Sequence, residues 1–145
     1  MIQRIQTIFL LLAAGALAAM TWLPFTTSGT MTDGVQTLFA DGMYSIADSP
    51  VLLGLGYGGV LLAVVAIFLF RNRKLQVRLG YVIILVCLGV LGVAYWVFAS
   101  HSSDVQELHQ SFGWLMPVIA AICVLLANRN IQKDEKLVHS ADRLR

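Results

Sequence analysis

The sequence predicts an all-α membrane protein. It reads as a bundle of four transmembrane helices, with a small extracytoplasmic β-hairpin between helices 1 and 2 and a helical cytoplasmic tail. Three observations carry this reading. Hydrophobic residues make up 58% of the chain and charged residues 12%, against roughly 45–50% and about 25% in soluble domains. Uncharged apolar runs of near-membrane length recur along the chain. When those runs are counted as crossings, all ten basic residues fall on one side. Such a composition excludes a disordered chain, a nucleic-acid binder and an ordinary soluble enzyme.

A hydrocarbon core about 30 Å thick needs roughly 20 apolar residues in helical form. The first run, residues 5–25, has no charge and is interrupted by Gln6, Thr7 and Thr21. Its small residues up to Ala19 also match a secretory signal with cleavage near Ala16 or Ala18. The run stays apolar through Met20, Trp22, Leu23 and Phe25, where a cleavable signal turns polar, so a retained helix is expected.

The loop 26–50 is turn-rich over residues 26–34. Two short β-prone runs, 35–39 and 43–46, then flank Ala40-Asp41-Gly42, which reads as the turn of a hairpin. An isolated hairpin is marginal, so this one is expected to rest on the helix ends. Ser49 and Pro50 supply a cap and a first-turn proline for the second helix.

The second span, 51–70, and the third, 79–99, carry no charge. Between them Arg71, Arg73, Lys74 and Arg78 form a tight basic connection, 71–78, that makes the two helices antiparallel. Ser103-Asp-Val-Gln106 resembles a capping box, so the fourth helix is expected to start near Asp104. Its apolar part is the shortest, about 111–128, and Pro117 is expected to kink it. The tail, 129–145, places Leu137, Val138, Ala141 and Leu144 at i, i+1, i+4 and i+7, one helical face bordered by charge. That face suits the anionic inner leaflet, the 71–78 loop, or a protein partner.

Four crossings put ten basic and three acidic residues on one side, and five acidic and no basic residues on the other. Basic loops stay in the cytoplasm, so both termini and the 71–78 loop are expected there, in a bacterial inner membrane. Trp22, Phe25, Tyr95, Trp96, Phe98 and Trp114 then mark the outer interface, and Phe68, Phe70 and Tyr81 the inner one.

No catalytic, cofactor-binding or metal constellation is expected. Cys87 and Cys123 sit in separate spans, without the pairing thiol redox chemistry needs. His101, Asp104, Glu107 and His109 are close in sequence, but two His eight residues apart stand about 80° apart on a helix, off the usual i, i+4 edge. A solvated loop is the expectation there. No Asp, Glu, Lys, Arg or His lies within the four predicted spans, which argues against a proton pump or a coupled transporter. Gly54/Gly58 and Gly15/Ala19 are small-xxx-small pairs, suited to packing within the bundle or to homo-oligomer contact.

The opening Met1-Ile-Gln-Arg-Ile-Gln-Thr7 and the loop Phe70-Arg-Asn-Arg-Lys-Leu-Gln76 resemble a Bacteroidota membrane-protein family called domain of unknown function 4293. So do Leu38-Phe-Ala-Asp-Gly-Met-Tyr44 and the tail segments 127–129, 133–138 and 142–145. The resemblance spans the whole chain. It implies an inner membrane and four helices, and no activity. The resulting expectation is a non-enzymatic accessory or scaffold protein that touches membrane lipids and recruits a protein partner through its tail, with homo-oligomers and no nucleic acid. The alternative is a small-molecule or lipid-handling protein with an uncharged cleft beside Pro117.

Overall fold

The computed structural model describes residues 2–28, 41–101 and 108–142, with side chains for 5–28, 41–100, 109–134 and Leu137. Its helices are α1 (Ile2–Ala19), α2 (Pro50–Phe68), α3 (Arg73–His101) and α4 (Leu115–Asp142). Three strands, β1 (Thr26–Ser28), β2 (Met43–Tyr44) and β3 (Leu108–Gln110), form one antiparallel sheet in the order β2-β1-β3. Three apolar stretches, Pro50–Arg71, Arg73–Ser100 and Phe112–Asp134, are long enough to cross a membrane. The apolar part of α1, Ile5–Ala19, is shorter.

Each helix buries one narrow stripe. On α1 it is Gln6, Leu10, Ala13, Leu17 and Met20, and on α2 Leu52, Gly56, Gly59, Ala63 and Ala66. On α3 it runs Gln76, Gly80, Ile83, Cys87, Val90, Ala94, and on α4 Ala120, Val124, Ala127, Ile131, Asp134. Every step in these stripes is three or four residues. That alternation is the 3.5-residue seam of left-handed helix packing. Many seam residues are Ala or Gly, which lets backbones approach closely. Large side chains such as Leu11, Leu61, Leu85 and Ile122 point outward instead, as a lipid solvent allows. α1 packs on α2 and α4, and α3 packs on the same two.

Several expectations are corrected by this arrangement. The regular part of the first helix stops at Ala19, and Met20–Leu23 form a turn bonded back to carbonyls 17–19. Thr26–Ser28, expected as turn, is the central strand of the sheet, because it finds partners on both sides. Met43–Tyr44 pairs with it across the loop, while the expected hairpin arm 35–39 lies outside the described residues. Asp41-Gly42 does turn the chain: Gly42 has φ +73°, and the Asp41 side chain accepts from the Met43 amide at 3.2 Å.

The fourth helix does not start near Asp104. Residues 108–110 are strand, pinned to β1, and a 3₁₀ turn at Phe112–Trp114 leads into α4 at Leu115. Pro117 therefore sits in the first turn of α4, where a missing amide costs nothing, and its expected role as a mid-helix kink falls away. The basic connection is also shorter than expected. α3 begins at Arg73, with the Asn72 side chain accepting from the Leu75 amide at 3.3 Å. Ser49 and Pro50 stand at the start of α2 as expected, though Ser49 makes no side-chain cap bond.

Candidate functional site

Most of the buried polar residues among the described side chains gather at the basic end, Thr26 of β1 lying at the other. Four of them are almost fully covered: Gln6 (5% exposed), Gln76 (4%), Asn128 (2%) and Asp134 (9%). They come from α1, α3 and α4; Gln6, Gln76 and Asp134 each extend a buried stripe by one helical step past its apolar members, and Asn128 lies beside Ala127 within the α4 stripe. Gln6 Nε2 donates to the Asp134 carboxylate at 3.0 Å, tying α1 to α4. Gln76 Nε2 donates to the Ala66 carbonyl at 3.0 Å, tying α3 to the end of α2. Asn128 Nδ2 donates to the Val77 carbonyl at 3.3 Å, tying α4 to α3. The three bonds join all four helices in an open chain, α1 to α4 to α3 to α2.

Gly80 makes room for the Asn128 link of this polar chain. A Cβ at position 80 would overlap the Asn128 amide group. Asn128 Oδ1 is buried and has no hydrogen-bond partner. Outside this chain of buried bonds, Gln132 Nε2 donates to the Tyr81 hydroxyl at 3.3 Å and binds α4 to α3 on an exposed face.

The opposite, sheet-bearing end is held by aromatic packing. The Phe25 ring lies 5.3 Å from Tyr44 and 5.2 Å from Trp114, and Phe98 meets Trp114 edge-on at 6.0 Å. The Tyr44 hydroxyl donates to the Ala94 carbonyl of α3 at 3.2 Å. Burial, with the negative charge of Asp48 adding to it, holds that phenol well above its ordinary pKa of about 10. Gly113 donates its amide to the Pro24 carbonyl at 3.1 Å and lies so close that a Cβ would strike the backbone of Leu23 and Pro24. A shallow groove of about 290 Å³ lies here, lined by Gln110, Ser111, Phe112, Trp114 and Leu115.

The residues singled out in the sequence are placed as follows. Arg71, Lys74 and Arg78 are exposed at the basic end and Arg73 is half-buried. The tail is helical through residue 142 as a continuation of α4. Leu137 is exposed there, while the side chains of Val138 and Ala141 and the whole of Leu144 lie outside the described residues. Cys87 is buried in the core and Cys123 half-buried, both as free thiols. His109 is exposed on β3. Gly15, Gly54 and Gly58 have no neighbour within 4 Å of a built Cβ, so these small faces are not spent within the bundle; Gly56 and Gly59 pack there instead, against Ile46 and against Leu17 and Val86.

The polar chain was missed because Gln6 reads as an interruption of an apolar run, Gln76 as part of the basic loop, and Asn128 and Asp134 as the edge and start of the tail. A signal for it existed. Gln6, Gln76 and Asp134 fall in phase with the small and apolar residues of their own helices, at spacings of three and four.

A family model described as a domain of unknown function, DUF4293, matches residues 2–144. No curated protein and no solved structure matches the chain.

Proposed function

The chain belongs to the DUF4293 family, a domain of unknown function, and from that premise we propose that it is a four-span protein of a bacterial inner membrane, with both termini cytoplasmic, acting as a non-enzymatic scaffold. Its charge asymmetry supports the orientation. Basic side chains collect at the end formed by residues 71–78 and 129–133, and the sheet end carries Asp41 and Asp48.

One observation carries the scaffold reading. α4 runs unbroken from Leu115 to Asp142, about 42 Å at 1.5 Å per residue, whereas a membrane core is about 30 Å thick. The excess emerges at the basic end. It is gripped by Gln6 as far as Asp134 and carries the exposed Leu137 one turn beyond. A stiff projecting helix with a solvent-exposed apolar residue is a suitable docking element for a partner protein.

The test is crosslinking pull-down from native membranes at matched protein level. A specific partner recovered by the unaltered chain should be lost in Leu137→Asp and in a chain ending at residue 136. Equal recovery from all three overturns the scaffold reading. Orientation is tested separately: a cysteine at position 74 should be sealed from external thiol reagents and one at position 41 open to them.

A further inference from the structure

We propose that the groove between α3 and α4 at the basic end is a binding site for one anionic phospholipid. Its phosphate would be held by Lys74, Arg78 and Arg129. The proposal rests on the membrane-spanning reading above, and not on the scaffold role.

The placement follows from helix phase and two printed contacts. On α3, Lys74, Arg78 and Tyr81 are spaced i, i+4 and i+7, and all three are exposed. On α4, Arg129 and Gln132 are spaced i, i+3 on the flank next to α3. The Tyr81–Gln132 hydrogen bond sets these two flanks side by side. The Asn128–Val77 bond fixes the level, so Arg129 and Arg78 stand at about the same height on antiparallel helices. Three cations thus border one groove bridged by a phenol and an amide, both able to donate to phosphate oxygens.

Charge and surface pattern favour a lipid as the occupant. Among the described side chains, the acid nearest in sequence to Arg129 is Asp134, and it is turned away, buried against Gln6 of α1. One and two turns deeper, the same flanks become apolar and remain exposed: Leu85 and Leu88 on α3, Leu125 and Ile122 on α4. A basic rim continuous with an exposed aliphatic strip at an interhelical groove matches a phosphate headgroup and its acyl chains. A soluble phosphate compound would use the rim and leave the strip uncovered.

The test uses the full chain in neutral detergent, offered equimolar phosphatidylglycerol and phosphatidylcholine with identical acyl chains, and native mass spectrometry of the retained lipid. The unaltered protein should keep one phosphatidylglycerol in preference. Arg78→Gln/Arg129→Gln should lower that preference roughly tenfold or more. Arg71→Gln/Arg73→Gln removes the same charge from the same end and should leave it in place. Arg129→Gln alone should give an intermediate loss and serves if the double variant folds poorly. Equal retention of both lipids by the unaltered chain, equal loss in the two double variants, or equally strong competition by free glycerol phosphate would each overturn the site. Failure of the membrane reading is distinguishable, since the protein would then leave native membranes on alkaline carbonate extraction.

Discussion

Gln6 and Asp134 are separated by 128 positions in the chain and meet at 3.0 Å, the amide nitrogen of one donating to the carboxylate of the other. A carboxylate this covered is costly unless its oxygens are matched. The pair therefore makes the seam between α1 and α4 specific as well as apolar.

Removing one partner should cost more than the bond itself is worth. Asp134→Ala leaves the Gln6 amide buried without an acceptor, an expected loss of about 1–3 kcal/mol. Gln6→Ala strands the carboxylate and should cost at least as much. Unfolding in mixed micelles should show the double variant less destabilised than the two singles added together. Strict additivity would mean the pair is not coupled.

Gly80 and Asn128 form a second coupled pair. Gly80→Ala drives a methyl into the Asn128 amide and should destabilise by about 1–3 kcal/mol. Asn128→Ala removes the obstacle, so Gly80→Ala in that background should be close to neutral. Thermal unfolding of the four proteins in this cycle measures the rescue directly.

Tyr44 predicts an alkaline limit. Its folded-state pKa lies above the unfolded value of about 10, so the folded protein keeps a proton that the unfolded chain gives up. Stability from this group is full below about pH 10 and falls as pH rises above it. Tyr44→Phe should lose roughly 0.5–1.5 kcal/mol at neutral pH with the bond to Ala94, and should show a shallower decline between pH 10 and 12. Chemical unfolding across that range would reveal the two slopes.

Where the tail is cut decides what the cut reports. Ending the chain at residue 128 deletes Ile131 and Asp134, both buried, and should destabilise the bundle. Ending it at residue 136 spares them and should leave the melting temperature nearly unchanged. Comparing the two by thermal scanning separates a folding role for residues 129–134 from any role of the exposed end.

The helices were legible because uncharged runs of this length have few other uses, and Pro50 announced the start of α2 correctly. The sheet was not. Thr26–Ser28 has no strand signature of its own and becomes a strand because Met43–Tyr44 and Leu108–Gln110 bond to its two edges. That same pairing delays α4 to Leu115, which turned Pro117 from an apparent kink into a first-turn residue. The polar chain was legible only in phase. Counting hydropathy along the chain treats Gln6 as an interruption and Asp134 as tail, whereas a three-four spacing puts both on the buried seam.

The chain of bonds that joins all four helices also sets a schedule. α1 leaves the ribosome first, yet its partner Asp134 follows 128 residues later. At roughly 5–20 residues per second, that is about 6–26 s during which the flank of α1 meant for α4 stands open. Over that interval the amide of Gln6 has no Asp134 to donate to. The half-built bundle is the form in which wrong pairings and proteolysis compete, so substitutions at Gln6 or Asp134 should lower the yield of inserted protein beyond what equilibrium stability alone accounts for.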